Sequence, residues 1–210
     1  MAMTAGFLAA RYTTLPDILV VHFTRNGAPN GWQYKTWPRV MMPTFVQLAL
    51  MLTLGVVAAL LLSRMHGEHD EEAPDVRAAA TAAEAVALLA SIWILVQAYA
   101  AFSIVRMWER EISRLDGFGV AEMAGLILTV LVAVRAQRRL GRPEPRPFVP
   151  EHWRFGQLYN NPADPALFVP TRNGARWTLN FGRPVAAALM GVILVLGIIA
   201  PALILSLSLR

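Results

Sequence analysis

The sequence predicts an all-α integral membrane protein, a four-helix transmembrane bundle with small β-hairpin-bearing extramembrane segments. Three observations lead there. The stretch Val185–Leu209 holds no ionisable side chain, and at about 1.5 Å of rise per residue a helix of that length more than crosses a hydrocarbon core of roughly 30 Å. The chain of 210 residues is 56% hydrophobic and only 16% charged, with a mean hydropathy of +0.45, where a soluble domain carries about a quarter charged residues. Further uncharged runs occur at 46–62, 85–105 and 123–134. Lipid offers the backbone no hydrogen-bonding partner, so each run must close its own N–H and C=O groups as a helix.

Residues 1–43 are expected to form an N-terminal extramembrane segment. Met1–Arg11 has a short apolar piece around Gly6–Ala10 with no basic residue ahead of it, so no cleaved signal peptide is expected. Ile18–Phe23 is largely β-branched and apolar, and Asn26-Gly27 and Asn30-Gly31 are both turn dipeptides. Asn-Gly supplies positive φ at low steric cost, so a strand-turn-strand is expected here. Trp32, Tyr34 and Trp37 follow, and suit the headgroup layer outside the first span.

Residues 44–136 hold the first three spans. The first is Val46–Leu62, extended to Pro43 and Ser63, with Pro43 in the tolerant first turn. An acidic loop, 64–75, includes His66, Glu68, His69, Asp70, Glu71 and Glu72, and Asp75 is placed to cap the next helix. That helix crosses through Ala85–Val105, with Gln97 as its most polar interior group, and continues as an amphipathic extension over 106–116. There Ile104, Trp108, Ile112 and Leu115 form one stripe and Arg106, Arg110 and Arg114 another, until Gly117 and Gly119 end it. The third span uses Phe118–Val134 and must tolerate Glu122 near one end.

Two rows of small residues at four-residue spacing mark candidate packing faces. One is Ala79, Ala83, Ala87 and Ser91; the other is Ala121, Gly125, Thr129 and Ala133. Small side chains let helix backbones approach closely in lipid, so the second and third spans are expected to pack as a pair.

Residues 137–184 form a long Arg/Pro-rich loop. It contains a polyproline-like stretch, Pro143–Pro147, turns at Asn160-Asn161-Pro162 and Asp164-Pro165, and a second hairpin candidate. In that hairpin Leu167–Val169 and Arg176–Phe181 flank Asn173-Gly174. Residues 185–210 are the fourth span, with a kink expected at Pro201. Four spans put the acidic and Arg-rich loops on one side with eleven arginines, against eight Lys and Arg on the other. The cluster at Arg135, Arg138, Arg139 and Arg142 adjoins a span end, where positive charge weighs most. The loop 135–184 is therefore expected in the cytoplasm and the termini outside.

Cysteine is absent, which removes disulfides, thiolate metal sites and a Cys nucleophile. No phosphate-cradling Gly loop, H-E-x-x-H, G-x-S-x-G or EF-hand spacing occurs. No histidine falls within an expected span, so no haem or chlorin ligand is available there. His66-x-x-His69 among acids is the one metal-like cluster, a candidate for Zn²⁺ or Ni²⁺ weighed against an ordinary solvated acidic loop. The charge of +5 points to anionic headgroups and orientation; there is no aromatic-plus-basic strand to suggest nucleic acid. Bound lipids are expected, and no other cofactor.

Two segments resemble known sequences. Leu15-Pro16-Asp17-Ile18, His22-Phe23, Gly27, Pro29, Gly31-Trp32 and Lys35 resemble the extracytoplasmic motif of an uncharacterised bacterial polytopic membrane-protein family, a motif shared with the sporulation-delaying-toxin immunity protein. Val20-Val21 stands where that family has proline before the His-Phe pair. Trp153-Arg154-Phe155-Gly156, Tyr159, Asn161-Pro162, Asp164-Pro165, Phe168-Val169-Pro170, Arg172, Gly174 and Trp177–Gly182 resemble a second uncharacterised domain that accompanies the first. The resemblance implies a bacterial cytoplasmic (inner) membrane protein with the first motif outside, and supplies no reaction.

These readings converge on a non-enzymatic membrane protein working through protein contacts, as an accessory subunit or an immunity- or sensor-type partner. Its partners are the bilayer and other membrane proteins. His22, Phe23, Trp32, Trp153, Phe168, Trp177 and Asn180 are the candidate contact residues. The alternative is a small transporter or ion-handling protein using Gln97 and the acidic loop.

Overall fold

The computed structural model describes residues 1–24, 29–63, 74–110 and 118–195. Its helices are α1 (Ala2–Arg11), α2 (Trp37–Val40), α3 (Met42–Leu62), α4 (Pro74–Arg110), α5 (Phe118–Leu140) and α6 (Pro184–Leu194). Three antiparallel strand pairs interrupt them: β1 (Ile18–Phe23) with β2 (Pro29–Tyr34), β3 (Trp153–Arg154) with β4 (Leu158–Tyr159), and β5 (Phe168–Pro170) with β6 (Trp177–Leu179).

Among the described residues, three helices are long and apolar enough to cross a membrane: Met42–Leu62, Pro74–Glu109 and Gly119–Leu140, with mean hydropathies of 2.5, 2.0 and 1.8. The last of these has only 6% of its most apolar window buried within the chain. Val120, Met123, Ile127, Val130 and Leu131 are each more than half exposed. Such a surface is stable only against lipid or another apolar partner. The fourth expected span begins as α6; its remainder beyond Val195, including Pro201, lies outside the described residues.

The chain divides into two compact units, Met1–Leu52 with Leu88–Val132, and Thr53–Ala87 with Ala133–Arg210. In the first, the segment before α3 is more ordered than its sequence suggests. Residues Ala2–Arg11 are helical, and Leu8 joins Leu15, Leu19, Val40, Ala101, Val105 and Trp108 in one buried cluster. The C-terminal turns of α4 thus receive α1, β1 and α2. Trp108 donates its indole N–H to the Val20 carbonyl at 2.9 Å, so this part of the expected amphipathic extension is a docking face for β1. Its continuation, with Ile112, Arg114 and Leu115, lies outside the described residues.

Gln47, fully buried in α3, donates to Thr4 Oγ1 at 3.2 Å and to the Ile94 carbonyl at 2.9 Å, which ties α1, α3 and α4 together. The β1–β2 pair forms as expected, with Val20 opposite Trp32 and a bulge between Val20 and His22. Asn26-Gly27 lies outside the described residues. Asn30-Gly31, expected as a turn, instead runs within β2. Gly31 faces His22 so closely that a Cβ there would sit 2.8 Å from the His22 Cβ, which is why a residue without a side chain stands opposite the bulge.

In the second unit, Leu61, Ala83, Leu167, Ala186 and Leu189 form the buried cluster that joins α3, α4, α6 and the strand β5. Pro74 opens α4 and Asp75 lies buried in its first turn, so Asp75 does not cap the helix from outside. At the other end of the span, α5 runs past the expected Val134 to Leu140. Gly141 at φ 61 follows it, its N–H bonded back to Gln137 O, an αL helix stop.

Candidate functional site

Residues 141–183 fold around one amide. Asn180 is fully buried. Its Oδ1 accepts from the N–H groups of Asn161 at 3.1 Å and Gly182 at 3.0 Å, while its Nδ2 donates to the carbonyls of Asn161, Asp164 and Ala166 at 2.9, 3.1 and 3.1 Å. A side-chain amide has two hydrogens, so one of the three donor contacts is shared. Gly182 completes the knot: a Cβ on it would stand 2.5 Å from the Asn161 carbonyl carbon and the Pro162 nitrogen.

Asp164 is the second hub. Its Oδ2 accepts from Arg146 at 3.0 Å and Tyr159 Oη at 2.9 Å, and its Oδ1 from the Ala166 N–H at 2.9 Å. Burial pushes the Tyr159 phenol above its ordinary 10.0; the bond to Asp164 and its charge add to that, and Asn161 and Arg146 oppose it. Trp177 donates its indole N–H to Leu140 O at 3.2 Å, which fastens β6 to the end of α5.

Two features remain on the outside of this knot. The first is the β3–β4 turn, where Gln157 N bonds to Arg154 O and both central residues have positive φ, Phe155 at 52° and Gly156 at 69°. Glycine takes that geometry freely; a phenylalanine pays about 1–2 kcal/mol for it. Phe155 is nevertheless 93% exposed, so no contact within the described chain repays the strain. The second is a groove of about 460 Å³ between the start of α4, the end of α5 and the linker that follows, lined by Arg77, Arg139, Arg142 and Arg146 above Phe168 and Trp177. Arg139 and Arg135 both pair with Glu84.

The expected contact residues separate into two kinds. His22 and Trp32 are exposed on the β1–β2 pair, with His22 Nδ1 hydrogen-bonded to Asn30 Oδ1. Nothing is described for the Phe23 side chain. Trp153 is half-buried against Tyr159, ring centroids 5.3 Å apart. Phe168 packs on the second unit's cluster, and Trp177 and Asn180 are committed to the internal bonds above. Phe-Gly carries no turn signal comparable to Asn-Gly, so nothing local marks Phe155 as an exposed feature. Gln47, and not the expected Gln97, is the fully buried glutamine.

The small residues distribute as follows. Ala83 lies in the cluster with Leu61 and Ala186, and Ala87 and Ser91 are exposed. On α5, Gly125 is buried and a Cβ there would meet Val96 Cγ2 at 2.9 Å, with the Trp93 ring next. Trp93 Nε1 donates to Thr129 Oγ1 at 3.2 Å. Ala121 is half-buried and Ala133 exposed. The α5 glycine and threonine therefore accommodate large side chains of α4. His66 and His69 lie outside the described residues; among the described residues no group of three or more His, Asp and Glu could hold a metal ion.

Residues 162–186 match a family of unknown function, DUF5808. The matched stretch starts at Pro162, runs through β5, β6, Asn180 and Gly182, and ends in the first turn of α6. No curated protein and no solved structure matches the chain.

Proposed function

We propose that this chain is a non-catalytic membrane protein that acts by holding another protein, as an accessory subunit or an immunity- or sensor-type partner. The Arg/Pro-rich segment 141–183, facing the cytoplasm of a bacterial cell, is its recognition surface. The observation that carries this reading is Phe155, an aromatic side chain held out at 93% exposure on a turn whose backbone disfavours it. Exposed aromatics on a rigid support are the side chains that anchor protein interfaces, and strained backbone is retained where it does something. The Asn180 and Asp164 hubs supply the rigidity.

Purification in gentle detergent should recover the chain with a second membrane protein in fixed ratio. Phe155→Gly should lose that protein without lowering the melting temperature, because glycine relieves the turn. Wild-type chain recovered consistently alone, or equal recovery with Phe155→Gly, overturns the proposal.

A further inference from the structure

We propose that the groove between α4 and α5 binds the phosphate headgroup of an anionic glycerophospholipid. Glu84, Arg135 and Arg139 form an ion-paired cluster at the end of the apolar stretches of both helices, with Arg135 Nη2 2.8 Å from Glu84 Oε1. Charges in such a pair belong where the hydrocarbon ends. From Glu84 back to Arg77 is seven residues, about 10 Å along the helix, which puts Arg77 and the groove at headgroup level.

Arg139 and Arg146 are each engaged by an acid, Glu84 and Asp164 respectively. Among the described residues, Arg77 and Arg142 have no acid within 4.0 Å, and both are exposed in the same groove. Two unpaired guanidinium groups are suited to phosphate oxygens, which they can grip with two N–H groups each. The groove also holds the carboxylates of Asp75 and Glu144, so it selects an anion through those two arginines and not through a uniformly basic wall. Its apolar side, Ala78, Leu140, Phe168 and Trp177, suits the glycerol and upper acyl carbons of a lipid, and nothing there would serve a free inorganic ion. The volume of about 460 Å³ is ordinary for a small-ligand site.

Lipid binding in this groove is independent of the partner proposed above. The full chain in detergent is incubated with equal amounts of phosphatidylglycerol and phosphatidylethanolamine bearing the same acyl chains, and retained lipid is counted by native mass spectrometry. One phosphatidylglycerol per chain should be retained with roughly thirtyfold preference, the order that two basic side chains give at a charged surface. Arg77→Gln/Arg142→Gln should abolish the preference, while Arg154→Gln/Arg176→Gln, an equal change of charge elsewhere on the segment, should keep it. Equal retention of the two lipids by the wild-type chain overturns the proposal without recourse to any variant. So does equal loss in both double variants, which marks a general charge effect. Displacement of the lipid by millimolar inorganic phosphate, or by an acidic peptide at the same concentration, also overturns it, assigning the groove to a soluble anion or to a protein.

Discussion

Replacing Asn180 by alanine removes the centre of the 141–183 fold, and the cost follows from its bonds. Two backbone N–H groups and three carbonyls lose their partner at once. Four full hydrogen bonds at about 1 kcal/mol net each give about 4 kcal/mol. Buried N–H groups left unpaired raise that figure and local relaxation lowers it, so about 3–5 kcal/mol is expected, or roughly a 10²- to 10⁴-fold rise in local opening. Hydrogen exchange measured by mass spectrometry on the detergent-solubilised chain reads this directly in peptides covering 158–183. Protection there should collapse while the central part of α4 keeps its own. Asn180→Asp extends the test, because the new oxygen would face the three carbonyls now bonded by Nδ2. A carboxylate has no hydrogen to donate to them, so this variant should open the segment as Asn180→Ala does. Exchange in Asn180→Ala within about threefold of wild type would refute the reasoning, since it would mean that the five contacts contribute under 1 kcal/mol together.

Three further outcomes are expected. Tyr159 should ionise above 10.0, seen as the difference in absorbance at alkaline pH between wild type and Tyr159→Phe; because the folded phenol holds its proton longer, its stabilising contribution is complete below the unfolded pKa and falls as pH rises through the folded one, and ionisation at or below 10.0 contradicts the described burial. Gly182→Ala drives a Cβ into backbone 2.5 Å away and should lower the melting temperature, whereas Gly191→Ala, with nothing within 4 Å, should be neutral or raise it slightly; equal melting of the two variants counts against the knot. The chain has no cysteine, so Ala175→Cys gives a single label site: a membrane-impermeant maleimide should reach it only after cells are permeabilised, and labelling of intact cells reverses the proposed orientation.

How far the fold was legible depended on whether its causes were local. The spans of α3 and α5 and the apolar stretch of α4 announce themselves, since hydropathy over twenty residues is a local property. The Asn173-Gly174 turn is equally local, and β5 and β6 flank it with Gly174 at φ 66. The end of α5 was not: the arginines that close the apolar run at Val134 do not close the helix, which runs on to Leu140 and stops at Gly141. Similarly, α1 is a ten-residue helix whose reason for forming is Leu8 against the α4 residues Ala101 and Val105, and isolated helices of that length are marginal. The Asn30-Gly31 dipeptide looks like a turn for a related reason: its glycine answers a close approach from His22 across the strand pair, which no neighbouring residue reveals. Asn180 stands within a recognisable motif, but its bonds reach 14 and 19 residues back, so its internal role is visible only in three dimensions. Phe155 at positive φ runs against its own propensity, and local reading is blind to such a choice.

If Phe155 anchors a partner, it touches a second protein in the membrane-bound state. Incorporating a photoreactive phenylalanine analogue at position 155 and irradiating native membranes tests it most directly. A discrete adduct heavier than the 23.1 kDa chain, containing one other protein and absent when the analogue is placed at exposed Val120 on α5, is the predicted result. Uncrosslinked chain alone, or the same adducts from both positions, would contradict it.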